Sequence, residues 1–138
     1  MYRYVFDTNI ASYLAKGMNA TLAARVAGLP AGSFAISAIT EAEMRFGIAL
    51  LPPVAKVRRI VSRFLEDIEI LPWDSACAQA YASIAARQRE IGKTLSLPDT
   101  MIAAHAVAHG MTLISNDHAF AQIEGLRWED WTKEPLRG

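Results

Sequence analysis

An α/β fold, with a short and mostly parallel sheet of about four to five strands covered by helices on both faces, follows from three features of this sequence. Short β-rich runs alternate with segments of helical periodicity along the chain, no repeat or low-complexity tract interrupts them, and Gly or Pro marks most of the switches. In an open sheet of this kind, binding sites are expected beyond the carboxyl ends of the strands.

The elements follow in order. Tyr2 to Phe6 is a β-rich run that stops at Asp7-Thr8-Asn9, and Ile10, Tyr13 and Leu14 then recur at helical spacing. A short helix from Ala20 to Ala27 ends at Gly28, Pro30 and Gly32 make a turn, and Phe34-Ala35-Ile36 reads as the second strand. Ser37 and Thr40 offer caps for a helix from about Ile39 to Leu50, which Pro52-Pro53 breaks. Val57, Ile60, Val61, Phe64 and Leu65 form the apolar stripe of the next helix, and Ile68 to Leu71 is a third strand. An Ala-rich helix spans Asp74 to Ile91 before Gly92, another runs from Pro98 to Gly110, and Met111 to Ile114 is the fourth strand. Leu126-Arg127-Trp128 supplies an edge strand.

The 138 residues, 52% of them hydrophobic, suit one domain over 1–138 with a real core. With 14 basic and 14 acidic residues the formal charge is +0, which excludes the bulk positive field of a protein living on nucleic acid and leaves only local contacts. Cys77 is the only cysteine, so an intramolecular disulfide and a cysteine-based zinc cluster are excluded, and it reads as an inert core thiol. The apolar stretch before Asp7 is too brief for a signal sequence and no apolar run reaches bilayer length, so no membrane association and a cytoplasmic location are expected.

Four acids, Asp7, Glu43, Asp99 and Asp117, each stand just after a strand or in the first turns of a helix, in segments remote along the chain. Each has an ordinary reading of its own. Asp7 can cap the helix that follows, Thr40-x-x-Glu43 matches a capping box, Asp99 beside Pro98 is a first-turn acid, and Asp117 can cap a turn before Phe120. Their joint placement would gather them at one edge of the sheet. Carboxylates brought together repel and raise one another's pKa unless a cation or helix N-termini offset the charge, and a hard divalent cation is the natural partner.

The chain resembles the PIN-domain ribonucleases, and within them the VapC-like toxins of bacterial toxin–antitoxin pairs. The blocks that carry the resemblance are Phe6-Asp7-Thr8-Asn9, Ile36 to Gly47 with Thr40-Glu41-Ala42-Glu43, Asp99 through Ile102-Ala103-Ala104, Leu113-Ile114-Ser115-Asn116-Asp117 and the closing Gly125 to Trp131. Their order and spacing cover nearly the whole chain. The resemblance implies a PIN-like three-layer sandwich in which Asp7, Glu43 and Asp99 are the central metal-site acids and Asp117 the fourth. Many relatives carry Asn-Asn and then Glu-Phe in the last block, where this chain has Asn116-Asp117 and then Ala119-Phe120. Glu41 lies two residues from Glu43 on another helix face. Thr8, Asn9, Ser115 and Asn116 stand where they can support the ligands from behind.

The implied activity is Mg²⁺- or Mn²⁺-dependent hydrolysis of RNA phosphodiester bonds, the metal polarising the phosphate and activating water. The implied partners are RNA, a second copy of the chain and a small VapB-like antitoxin whose tail, often bearing an Arg, plugs the acidic site. A mean hydropathy of +0.16 agrees with some apolar surface being covered by a partner, although Ala-rich helices alone produce the same value.

Arg45, Lys56, Arg58, Arg59, Arg63, Arg87, Arg89 and Lys93 are the basic residues available for phosphates, Arg45 being nearest to a site acid. Ordinary helix-face pairing accounts for most of them. His105 and His109 have a spacing able to bind zinc but lack the glutamate of the metalloprotease motif, and they turn away from the Asp99 face, which points to packing or surface roles. His118 adjoins Asp117; Trp73, Trp128 and Trp131 suit core or interface packing better than base stacking. Two rivals remain from the sequence. A haloacid-dehalogenase-like phosphatase needs an Asp where Asn9 stands, and a catalytically silent PIN-like binding module would not need acids at all four positions.

Overall fold

The computed structural model describes residues 2–134. In chain order the elements are β1 (Tyr4–Phe6), α1 (Thr8–Lys16), α2 (Ala20–Ala27), β2 (Phe34–Ser37), α3 (Ala38–Ala49), α4 (Lys56–Asp67), β3 (Ile70–Leu71), α5 (Ser75–Ile91), α6 (Leu97–Ala108), β4 (Thr112–Ile114), a 3₁₀ turn (His118–Gln122) and β5 (Trp128–Glu129). The five strands form one sheet in the order β3-β2-β1-β4-β5. Every pairing is parallel.

Alternation along these short strands divides the core between the two faces of the sheet. Val5 and its register partner Leu113 face α5 and α6 in a cluster with Ile84, Ile102, Ala103 and Phe120. Phe6, Ile36 and Ile114, also in register, face the other way onto Ile10, Leu22, Met44, Val61 and Leu65 of α1 to α4. Trp131, only 1% exposed, closes this second layer against the rings of Tyr4 and Phe6, at centroid distances of 4.8 and 6.3 Å. The expected layered sheet with helices on both faces is therefore present.

The helix ends follow the cap chemistry. Asp7, Asn19, Asp74 and Ser96 accept from backbone N–H groups in the first turns of α1, α2, α5 and α6. Gly17 and Gly92 close α1 and α5 with φ of 64° and 69°, a left-handed turn costly for other residues.

Several boundaries differ from expectation, β1 among them, which begins at Tyr4 rather than Tyr2. The cap of α3 is Ser37, whose Oγ accepts from Ile39 N–H at 3.1 Å, so the Thr40–Glu43 capping box does not form and Glu43 lies in the second turn. Ile68 N–H still bonds to Phe64 O at 3.0 Å as α4 ends, which shortens β3 to Ile70–Leu71. Leu126 N–H is taken by Ile123 O at 3.3 Å, and β5 begins only at Trp128. No helix among the described residues is long and apolar enough to cross a membrane.

Candidate active site

The sheet topology builds the site. The chain leaves the central β1 for β2 and β3 on one side and returns to β4 on the other, so the β1–β4 boundary is where strand order reverses and a crevice opens. Asp7 follows β1 directly, and Ser115, Asn116 and Asp117 follow β4.

Asp7 is 4% exposed and doubly held. Its Oδ1 accepts from Ile10 N–H at 2.9 Å as the cap of α1, and its Oδ2 accepts from Ser115 Oγ at 2.5 Å. Burial pushes its carboxyl up from 3.8 to about 6; these two hydrogen bonds work against the rise, and the negative charges of Asp99 and Asp117 add to it. Fully buried Ser115 also accepts from Asp117 N–H at 3.0 Å, so one hydroxyl ties the strand ends of Asp7 and Asp117 together.

Asp99 sits in the first turn of α6, where its backbone N–H donates to Ser96 Oγ at 3.3 Å. Burial again raises its carboxyl pKa, a hydrogen bond with Ser96 opposes the shift, and the charge of Asp117 reinforces it. Asp117 plays the ordinary role foreseen for it, capping the 3₁₀ turn by accepting from Ala119 N–H at 2.9 Å. It nonetheless stands close enough to Asp7 and Asp99 to perturb both. Glu43 joins through Thr8, whose hydroxyl donates to Glu43 Oε1 at 2.5 Å and lies 3.3 Å from Thr40 Oγ1. Asn9 Nδ2 donates to Asn116 Oδ1 at 3.3 Å across the same edge.

Asp7, Asp99 and Asp117 thus share one electrostatic environment, with Glu43 tied to the residue next to Asp7. Among the described residues no three of these acids bring carboxylate oxygens within 4.8 Å of one another. The donors along this edge are hard oxygens throughout, the ligand type that suits a magnesium-like ion rather than a soft one.

The other sequence candidates fall elsewhere. Arg45 pairs with Glu41 at 2.8 Å one turn away on α3. Arg58 donates to the carbonyls of Ile48 and Leu51 at 3.1 and 2.9 Å, finishing α3. Arg63 and Arg87 pair with Asp67 and Glu90 on their own helices. Lys56, Arg59, Arg89 and Lys93 have no ion-pair partner among the described residues. Trp73 donates to Met101 O at 2.9 Å, while His118 meets the Trp128 ring at 5.3 Å.

Two contributors were missed from sequence. Thr40 is fully buried and faces Thr8, a role hidden by its match to a capping box. Lys16 lines a cleft of about 360 Å³ with Thr8, Ser12 and Glu43, and the four-residue spacing of Thr8, Ser12 and Lys16 was the available signal. Met44, Ile48 and Val61 form the apolar wall of that cleft.

The fold has counterparts among known proteins. The PIN domain family matches residues 4–126. The tRNA(fMet)-specific endonuclease VapC of Shigella flexneri is 29% identical, the match covering 96% of this chain and 100% of that protein. Ribonuclease VapC of Haemophilus influenzae is 31% identical over 95% of this chain and 99% of its own length. A DNA-bound VapBC structure from Salmonella typhimurium superposes with a TM-score of 0.87 at 28% identity, covering 95% of this chain and 99% of that one. The chain belongs to the PIN-domain family, among its VapC-type ribonucleases.

Proposed function

We propose that this chain, acting as one PIN-like domain over residues 1–138, is a Mg²⁺- or Mn²⁺-dependent endoribonuclease and the toxin of a toxin–antitoxin pair. The observation that carries the reading is the convergence of Asp7, Asp99 and Asp117 at the crevice beside β1 and β4, close enough that their charges raise the pKa of buried Asp7. Burial is the larger cause of that rise and the neighbouring charges add to it, and a bound cation would offset both.

Asp7, Glu43, Asp99 and Asp117 would hold the ion. When bound, it supplies charge neutralisation at the scissile phosphate and a lower pKa for the attacking water. The protein's own part is orientation. Ser115 and Ile10 N–H fix both oxygens of Asp7, and Thr8 fixes Glu43, so little reorganisation is left for the reacting state. Above about pH 6 Asp7 is ionised and able to act as a ligand.

A VapB-like antitoxin is the partner this reading assigns, and a cytoplasmic homodimer is the working form. Phe46, Leu50 and Val54 are 67, 71 and 91% exposed in the segment that also supplies Gly47, Ile48 and Leu51 to the apolar cleft beside Glu43, which supports a docked partner reaching the acids with a basic side chain. The purified chain should cut RNA with Mg²⁺ or Mn²⁺ and stop on chelation. Asp7→Ala and Asp99→Asn should abolish cleavage with the fold retained by circular dichroism. Undiminished cutting by either variant would refute the assignment.

A further inference from the structure

We propose that Cys77, His105 and His109 form a second metal site, separate from the acidic crevice, that takes a zinc-class transition cation. One ligand atom from each of the three lies within 4.8 Å of the other two. Cys77 is in the first turn of α5, while His105 and His109 lie at the far end of α6, so the site joins the beginning of one helix to the end of the next. Asp99 is six residues before His105 on α6, which at about 1.5 Å per residue puts the two centres some 9 Å apart along the helix.

The donor set differs in kind from the crevice. A thiolate and two imidazoles select zinc or cobalt over magnesium, whereas the four carboxylates do the reverse. Each imidazole already has one nitrogen held by an oxygen partner, as metal-ligating histidines do. His105 Nδ1 is 2.9 Å from Ser37 Oγ, and His109 Nε2 lies 2.9 and 3.1 Å from the two oxygens of Asp74. Burial, with a smaller push from His109, lowers the His105 pKa to about 4, which leaves the ring neutral with a lone pair at physiological pH. The Cys77 thiol is pushed up to about 11, first by burial and then by its hydrogen bond to Asp74, so it stays protonated until a cation displaces that proton into solvent. A cavity of about 240 Å³ is bordered by Tyr2, Asp74, His105 and His109, so two of the three ligands face an opening while Cys77 is fully buried outside its lining. From sequence Cys77 reads as an inert core thiol and His105 and His109, despite a spacing able to bind zinc, as packing or surface residues; the packing of α5 on α6 brings the three together.

The test is titration of the chelator-treated full chain with Co²⁺ and Zn²⁺. Co²⁺ should produce a thiolate-to-cobalt charge-transfer band, which only Cys77 can supply, and Zn²⁺ should bleach it while Mg²⁺ leaves it in place. Zn²⁺ binding should release about one proton per ion, seen as buffer-dependent heat. His109→Gln, at a half-exposed position, should weaken Zn²⁺ binding by roughly 10–100-fold, and Asp74→Asn, which keeps the helix cap, should weaken it within the same range. Asp7→Asn should leave the band intact, which separates this site from the acidic one. No charge-transfer band at saturating Co²⁺, or an unchanged Zn²⁺ affinity in His109→Gln, would overturn the proposal.

Discussion

Asp7→Asn tests the electrostatic core of the site, because the variant changes charge while keeping shape. Asn is a good N-cap and preserves an oxygen for Ile10 N–H, and the Ser115 hydroxyl can rotate to accept from the new amide. The native carboxyl binds its proton more tightly than an unfolded one, with a pKa of about 6 against 3.8. Below 3.8 both states hold the proton and the group costs nothing. As pH rises from 3.8 through about 6 the folded state loses stability, reaching a deficit of about 3 kcal/mol, at about 1.4 kcal/mol per tenfold change in proton affinity. Asp7→Asn should therefore match the native protein near pH 4 and exceed it by up to about 3 kcal/mol at pH 8, measured by urea unfolding in chelator. Mn²⁺ should raise the native stability at pH 8 and leave the variant nearly unchanged. A stability difference independent of pH, or equal Mn²⁺ stabilisation of both proteins, would refute the argument that charge at Asp7 is what the site stores.

Three further perturbations probe its supports. Ser115→Ala removes the hydroxyl donor to Asp7 Oδ2, costing about 1.5–3 kcal/mol, and raises the Asp7 pKa further, so the acidic limb of the cleavage–pH profile should move to higher pH; a stationary limb would contradict the role given to Ser115. Thr8→Val frees Glu43 from its donor and should lower cleavage about 10–100-fold, with a higher Mn²⁺ requirement in rate titrations. Trp131→Ala empties the space against Tyr4 and Phe6 and should cost about 3–5 kcal/mol in urea unfolding, whereas a loss below about 1 kcal/mol would mean the tail is not part of the core.

Much of this was legible in one dimension because the signals were local. Asp7 and Asp74 announce helix starts, Gly28 and Gly92 announce ends, and the α2 and α5 boundaries agree with these signals within a residue. The failures came where two local signals competed. Ser37 and Thr40 can both cap a helix, and Ser37 wins because β2 delivers it extended at φ −76° and ψ 152°, ready to accept from Ile39.

By itself the sequence determined the alternation of strands and helices, the identity of the acids and the absence of any chemistry built on disulfides, since these depend on residue type and short-range periodicity. Only the tertiary structure decided which neighbours those residues acquired. Parallel pairing of β1 with β4 brings Ser115 to Asp7 across 108 positions, and the packing of α5 on α6 sets Cys77 beside His105 and His109. Such pairings are settled by how sheet faces and helix stripes bury together, a condition on the whole chain that no local window of sequence contains.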